Sequence, residues 1–288
     1  MMDHWRRVIR PLLEALEPKI IVEVGVFTGE TTQKLLEFTA EHGGVVHGVD
    51  PIETPRFDLE GFRESHGDRF VFHNEPSLDA LPKIRNADAV LIDGDHNWYT
   101  VFNELTALAG VAAEEQRPFP LTLMHDVDWP YGRRDGYYAP DRIPDEYRHP
   151  MTTDGIVPLT SELVEGRGIA LGVHKAVDEG TPQNGVRTAV EDFLAAGNHV
   201  RVEFTDVAGW YGLGILAGAE LLERNAKLRD LIAGFDSPAW LREQCQRIET
   251  WRVRAVSRAD DLQREIRRSS QMSPATLGQS DTSSSGSS

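Results

Sequence analysis

The fold is decided by residues 19–30, which read KIIVEVGVFTGE. A short β-branched run without polar alternation is typical of a parallel strand that is buried on both faces. The run breaks at Gly25, and apolar residues return at helical spacing after Gly29, over residues 30–41. This stretch therefore predicts a strand, a tight glycine turn and a helix.

The same alternation continues along the chain, after an amphipathic helix predicted at residues 4–17. Further strands are predicted at 45–50, 69–73, 87–93 and 120–124, further helices at 98–109 and 186–196, and an antiparallel edge pair at 200–206 and 211–217. Strands that alternate with helices imply right-handed crossovers. We therefore expect an α/β fold with a doubly wound, mostly parallel seven-stranded sheet, formed by residues 1–217.

Two segments depart from this pattern. Residues from about 129 to 185 contain six of the sixteen prolines, and a long irregular insertion of this kind is usually a lid or a substrate-binding loop. Residues 218–268 form a charged helical extension with apolar residues at heptad spacing from Leu241 to Ile266, which would pack on its own domain or on a partner, including a second copy. The Ser-rich tail at 269–288 is expected to be disordered.

Composition restricts the class of function. The chain has 46 acidic and 30 basic residues, a formal net charge of −16, which disfavours nucleic acid and anionic membrane surfaces as partners. Its single cysteine rules out an internal disulfide framework and is typical of the cytoplasm. No apolar run approaches the roughly 18 residues of a membrane span. We expect a soluble, cytoplasmic globular protein.

Ligands of an open parallel sheet bind at the carboxyl ends of its strands. At the first end, Gly25 and Gly29 allow a tight turn, but their spacing is neither a dinucleotide fingerprint nor a P-loop. Glu23 would repel phosphate there, so the ligand is neutral or cationic at this point. At the second end, Asp50 is placed to accept both hydroxyls of a ribose.

These residues carry a resemblance to a known family. Glu23-x-Gly25-x-x-x-Gly29, followed by Gly48-Val49-Asp50, resembles the first two motifs of class I S-adenosylmethionine-dependent methyltransferases. The resemblance covers residues 19–217 and implies S-adenosylmethionine as cofactor, with the glycine loop against its methionine part and the acid on its ribose. The residues assigned to cofactor binding are Glu23, Gly25, Gly29, Thr31, Asp50 and Asp93.

The fourth and fifth strand ends are rich in polar residues. Capping of the next helix by Asp95 or Asn97 explains one of them, but not five across two ends. Asp93-x-x-His96 and the pair at 125–126 are similar to motifs of metal-dependent sugar O-methyltransferases of macrolide biosynthesis. That similarity implies His96 as general base and Asp93, Asp126 and His125 as ligands of a divalent ion. Because His125 replaces an acid of that motif, either the set binds no ion or it favours a borderline ion such as Mn²⁺ over Mg²⁺.

For several other residues, both a ligand contact and a structural role remain open. In the insertion, Tyr131, Arg133, Arg134 and Tyr137 would contact the substrate, or the arginines would pair with acids of the same loop, namely Asp135, Asp141, Asp145 and Glu146. A structural role is preferred for His174. Asn74 and Ser77 would reach the adenine or cap a loop.

The sequence therefore predicts a methyltransferase that acts on a hydroxyl of a small molecule, a sugar or another natural product. A non-catalytic scaffold with a partner-binding C-terminal helix and an NAD-linked oxidoreductase are the alternatives.

Overall fold

A seven-stranded sheet forms the centre of the protein in the computed structural model, which describes residues 1–51, 58–158, 160–197 and 200–271. Its strands are β1 (Ile20–Val24), β2 (Val45–Val49), β3 (Phe70–His73), β4 (Ala89–Ile92), β5 (Leu121–His125), β11 (Val202–Val207) and β12 (Leu213–Gly218). The order across the sheet is β11-β12-β5-β4-β1-β2-β3. Only β12 runs antiparallel to its neighbours, β5 and β11, and the remaining pairs are parallel. The predicted sheet is confirmed.

Both faces of the central strands are covered. Val22 and Val90 lie in one apolar cluster with side chains of the helices at 98–114 and 186–195, and both are fully buried. Ile21 and Leu91, which alternate with them and so point to the opposite face, are no more than 1% exposed. Apolar burial on two faces explains why these strands read as continuous β-branched runs.

Helices connect the strands. They are α1 (Arg10–Leu16), α2 (Glu30–His42), α3 (Leu59–His66), α4 (Ser77–Ala80), α5 (Trp98–Glu114), α6 (Val186–Ala195), α7 (Ala219–Arg224), α8 (Ala226–Gly234) and α9 (Pro238–Gln271). Before α1, a 3₁₀ turn at Met2–His4 and a π-helical segment at Trp5–Ile9 extend the predicted first helix. Helix α5 is longer than predicted because Val111 and Ala112 keep its apolar face buried beyond residue 109.

The insertion at about 129–185 is not the irregular loop that its prolines indicated. It contains five short strands, β6 (Gly136–Tyr137), β7 (Met151–Thr152), β8 (Gly155–Ile156), β9 (Leu163–Val164) and β10 (His174–Ala176), which form a three-stranded sheet and a hairpin. A buried lysine ties two of its segments, since Lys175 Nζ donates to the carbonyls of Asp154 and Val173. These strands are two or three residues long, too short to produce a visible alternation in the sequence.

The C-terminal boundary also differs from the predicted one at residue 218. The first compact unit runs from Met1 to Phe235. It includes α7 and α8 because Leu222 and Leu228 are buried in it, and because the Asn225 side chain donates to the carbonyl of Ala15 at 2.8 Å.

A second unit begins at Asp236 and consists, in its described part, of α9. Residues 269–271, predicted as part of the tail, are the end of this helix, and the rest of the predicted tail lies outside the described residues. No helix within the described ranges is both long enough and apolar enough to cross a membrane.

Candidate active site

The loop after β1 lies directly against the loop after β4. Gly25 has a φ of 89°, and a Cβ added to it would stand 2.3 Å from the carbonyl oxygen of Asp93. Its amide donates to the carbonyl of Val49 at 2.9 Å. Gly29, with a φ of 78°, is the N-cap residue that precedes α2. Gly25 is therefore required for the close approach of two strand ends, and any larger residue would separate them.

Glu23 is a residue of β1 that connects this strand to α2, on the two sides of the loop. Its side chain is only 2% exposed, and the hydroxyl of Thr32 donates to its carboxyl at 2.5 Å. Burial raises the pKa of Glu23 to about 8. We expected Glu23 to contact the cofactor directly, but its burial gives it the role of holding β1 to α2. Thr31 lies in the first turn of α2, partly exposed beside the loop.

The carboxylate of Asp50 lies at the end of β2, as the sequence predicts. Its Oδ2 accepts a hydrogen bond from the amide of Phe27 at 2.9 Å, so it also fixes the glycine loop. Phe27 has a φ of 50° and a ring that is 57% exposed. Of the two residues proposed near the adenine, Asn74 is exposed after β3, whereas Ser77 is buried at the start of α4.

Four titratable side chains converge where β4 and β5 end. Asp93, His96, His125 and Asp126 each offer one ligand atom, and these atoms all lie within 4.8 Å of one another. Nε2 of His96 is 2.7 Å from Oδ2 of Asp126 and 3.4 Å from Oδ1 of Asp93. Nδ1 of His125 is 2.9 Å and 3.2 Å from the same two oxygens. We refer to these four residues as the Asp-His cluster.

The charges of the Asp-His cluster compensate one another. Burial lowers the pKa of both imidazoles, but Asp93 and Asp126 outweigh it, so the pKa of His125 rises to about 9 and that of His96 rises well above its usual value. Burial raises the pKa of each carboxyl, yet the histidines hold it well below its usual range. These pKa shifts favour protonated imidazoles beside ionised carboxylates in the cluster.

Comparison with known proteins identifies the type of domain to which the first strands belong. Residues 22–117 match a family model described as a methyltransferase domain, and this range contains the glycine loop, Asp50, Asp93 and His96. This part of the chain is a methyltransferase domain. No curated protein matches its sequence.

Several solved structures are similar to this methyltransferase at low sequence identity. The SAH-bound Podospora anserina methyltransferase PaMTH1 has 15% identity, with 72% of this chain and 75% of that chain covered and a TM-score of 0.40. The cofactor-bound Rv0187 from MTB has 17% identity, coverage of 72% and 77%, and a TM-score of 0.41. An O-methyltransferase family protein from Burkholderia thailandensis has 12% identity, coverage of 73% and 55%, and a TM-score of 0.41.

The insertion of the methyltransferase docks onto the Asp-His cluster. The amide of Gly136 donates to the carbonyl of His96 at 2.9 Å, and the ring of Tyr131 stacks on the His96 imidazole with centroids 5.4 Å apart. Of the insertion residues predicted to bind substrate, Tyr131 is therefore the one in contact with the cluster.

The other predicted insertion residues serve the insertion itself. Arg133 forms a bidentate pair with Glu191 at 2.6 and 2.7 Å. Arg134 is buried and donates to the carbonyls of Ala176 and Val177. The predicted intraprotein pairing of the arginines thus occurs, but not with the acids of the 135–146 stretch. The buried position of Arg134 takes it out of reach of a substrate.

Tyr137 is also buried and makes its hydrogen bond within the insertion. It is 1% exposed, and its hydroxyl donates to Asp135 at 2.9 Å, which leaves no surface for a substrate. His174 lies exposed on β10, where it pairs with Tyr137 in the ladder. Asp128 lies outside the cluster and pairs with Arg187 at 3.2 Å.

The N-terminal segment of the methyltransferase reaches the same edge of the sheet. The His4 ring packs edge-on against His125, with centroids 6.2 Å apart, and the amino group of Met1 is 3.3 Å from Oδ2 of Asp93. Apolar spacing predicts a helix over these residues, but nothing in the sequence indicates which edge it covers. His4 is therefore a site neighbour that sequence reasoning missed.

Proposed function

We propose that this methyltransferase transfers the methyl group of S-adenosylmethionine to a hydroxyl group of a small molecule, a sugar or another natural product. The observation that carries the proposal is the Asp-His cluster, which lies at the carboxyl edge of the sheet beside the glycine loop. Its position is where a ligand of a parallel sheet binds, and its residues are those that can hold and deprotonate a hydroxyl.

The cofactor assignment rests on the loops after β1 and β2. The turn at Gly25 and Gly29 leaves backbone open at the start of α2, and Asp50 stands at the end of the adjacent strand. Asp50 would accept the ribose hydroxyls, and the backbone of Asp93 lies against the loop on its other side. Two carboxylates near the loop favour a cationic sulfonium over a dinucleotide phosphate, which supports a methyl donor over NAD.

The donor set of the Asp-His cluster fits a divalent cation. Asp93, His125 and Asp126 would hold it, because donor atoms within 4.8 Å of one another match the span of ligands around one ion, each about 2.0–2.6 Å from it. Two carboxylates with imidazole suit a borderline ion such as Mn²⁺. Such an ion supplies Lewis acidity, which lowers the pKa of a bound hydroxyl.

His96 is the residue we assign to proton removal. Its Nε2 faces Asp93 and Asp126, so it is the nitrogen that would take the proton of the acceptor. The oxygen would then attack the methyl carbon while the sulfur keeps the electron pair of the broken bond. Those two carboxylates favour the protonated imidazole in the unliganded protein. Positive charge bound to them would allow His96 to be neutral and to act as a base.

Calorimetry and product analysis test this function together. We expect the full chain to bind S-adenosylmethionine, and to release S-adenosylhomocysteine when a panel of glycosides, phenols and amines is offered with Mn²⁺. Release with hydroxyl acceptors and not with amines supports O-methylation. Binding of NAD in place of S-adenosylmethionine, or release with amines alone, would overturn the proposal.

A further inference from the structure

Two tyrosines outside the Asp-His cluster present open rings beside it. The ring of Tyr138 is 63% exposed, and its centroid is 5.5 Å from that of His96. The ring of Tyr211 is 47% exposed and stands edge-on to His125, with centroids 6.2 Å apart. The two histidines lie in one cluster, so the two exposed rings flank it from the insertion and from the β11–β12 turn.

Tyr138 is held in place through the backbone. Its amide donates to Oδ1 of Asp95 at 3.0 Å, and the preceding strand is bonded to His96 through Gly136. A Cβ at Gly136 would meet the ring of Tyr131 at 2.6 Å, so the glycine allows the strand to lie flat on that ring. The backbone of Tyr138 is fixed, while its ring remains open to solvent.

Tyr211 is held by a strained turn. Trp210, Tyr211 and Gly212 have φ values of 48°, 71° and 81°, three consecutive residues in the left-handed region. Each non-glycine residue in that region costs about 1 kcal/mol or more, and such strain persists where surrounding structure enforces it, often at functional sites. The carbonyl of Tyr211 accepts from the amide of Asp128 at 2.9 Å, which fixes the turn to the loop after β5.

Tyr131 is a third, buried tyrosine at the same cluster. It is 8% exposed and stacks on His96 with an interplanar angle of 26°. Burial raises the pKa of its hydroxyl, and the charges of Tyr138, Asp126 and Tyr211 act in the same direction. All three phenol rings therefore contact the histidines of the Asp-His cluster, Tyr131 and Tyr138 at His96 and Tyr211 at His125.

The charges around the Asp-His cluster do not favour an anion. The two carboxylates of the Asp-His cluster already face its two imidazoles, and the insertion's Arg133 and Arg134 are bonded to Glu191 and to backbone carbonyls. Neither of these two guanidinium groups is free to bind a phosphorylated or carboxylated acceptor. Aromatic faces, by contrast, stack on uncharged rings and on the C–H faces of sugars.

We propose that Tyr131, Tyr138 and Tyr211 form the acceptor site, and that it takes an uncharged ring bearing hydroxyl groups and excludes anionic acceptors. The ring lies between Tyr138 and Tyr211 and directs one hydroxyl toward the Asp-His cluster. This proposal rests on the proposed function, because it assigns the substrate class of the same site. Sugars and phenols share the required chemistry.

Matched acceptors and tyrosine variants test the site. Kinetics on the full chain would compare a methyl glycoside with its sugar phosphate, and catechol with a carboxylated catechol. We expect turnover with the neutral member of a pair and at least tenfold less with the anion. Turnover of the glycoside or of catechol shows whether the ring that the site takes is a sugar or a phenol. Preference for the anionic member of both pairs would overturn the proposal.

In the variants, Tyr138→Ala and Tyr211→Ala should each raise KM for the neutral acceptor about threefold to tenfold, the loss of one stacking contact. Phenylalanine at either position should restore KM, and Trp251→Ala, an exposed aromatic of α9, should change nothing. An unchanged KM in both alanine variants would refute the assignment.

Acceptor binding measured by saturation-transfer NMR separates this proposal from the proposed function. If the wild-type chain binds the neutral ring without methylating it, and the alanine variants lose that binding, the ring site stands although the methyl transfer fails. If methylation occurs and ring binding is insensitive to both variants, the ring site fails alone.

Discussion

Nε2 of His96 lies 2.7 Å from Oδ2 of Asp126, although the two residues follow different strands of the sheet. Strands β4 and β5 are parallel neighbours with Ile92 opposite Met124, so the residues that follow them emerge at the same edge. Asp126 has a φ of 61°, a left-handed conformation that turns its carboxylate toward His96 and His125. The pair therefore depends on strand register and on local backbone strain together.

Substitution of His96 tests the assignment of the general base. His96→Ala should lower turnover by about 10²–10⁴-fold, the usual contribution of a positioned base, and leave the Kd for S-adenosylmethionine unchanged. Timed assays of S-adenosylhomocysteine release measure the turnover, and calorimetry measures the Kd. His174→Ala is the control, since His174 is exposed on the insertion. Turnover equal to that of the control would remove His96 from the mechanism.

Asp126→Asn tests the metal site. The amide keeps the shape of the side chain but removes the charge that a divalent ion needs, so we expect Mn²⁺ affinity to fall by tenfold or more. Titration calorimetry with Mn²⁺ measures it without reference to activity. Asp128→Asn, on the same loop but paired with Arg187, should bind Mn²⁺ like the wild type. Activity that survives exhaustive treatment with EDTA would contradict metal dependence.

Asp50→Ala tests the ribose assignment. A hydrogen bond to a charged group contributes about 1.5–3 kcal/mol, so affinity for S-adenosylmethionine should fall roughly ten- to hundredfold. Because Asp50 also accepts from the amide of Phe27, a thermal melt must show that the variant is folded. Asp58→Ala, which removes the N-terminal cap of α3, is a control for general loss of stability. Wild-type affinity in Asp50→Ala would end the assignment.

The central sheet was predictable because its signals are local. The run at residues 20–24 predicts a buried strand, and Gly25 and Gly29 predict the turn after it. Polar residues at consecutive strand ends then predict a common edge, and the structure places Asp93 and His125 within 3.2 Å. These inferences need only the periodicity of apolar residues, the register of paired strands and the geometry of a parallel sheet.

The insertion was not predictable in the same way. The exposed ring of Tyr138 and the buried Arg134 lie four residues apart in one aromatic and basic cluster, and no local pattern distinguishes them. Their roles depend on contacts with distant parts of the chain, such as that of Arg134 with Ala176. The same holds for Tyr211, whose strained turn lies far along the chain from His125.

Substitutions in α9, the C-terminal helix, test its predicted association with a second copy. Leu241, Ile248 and Leu262 recur at seven-residue spacing and are 47%, 39% and 50% exposed. An exposed apolar stripe of this period favours pairing with a second copy. We expect Ile248→Asp with Leu262→Asp to convert a dimer into a monomer in sedimentation velocity. Val253→Asp, an exposed apolar position outside this spacing, is the control. A monomeric wild-type chain would contradict the prediction.

The buried carboxyl of Glu104 predicts how the stability of the fold depends on pH. This residue of α5 is fully buried, and burial raises its pKa to about 8 from an ordinary value of 4.5, against the smaller effect of the Ser77 hydroxyl. Between those two pH values the unfolded chain has lost the proton that the folded chain retains. Folded stability therefore decreases as pH rises through this window, by about 1.4 kcal/mol per pH unit.

Glu104→Gln removes the ionisation and keeps the shape, so the variant should match the wild type near pH 4.5 and exceed its stability by several kcal/mol at pH 8. Urea unfolding of both proteins at several pH values measures the difference, in which other titrating groups cancel. Glu114→Gln, a glutamate at the exposed end of the same helix, should show no such divergence. If the difference between wild type and Glu104→Gln stayed constant from pH 5 to pH 8, Glu104 would have to be ionised in its buried position.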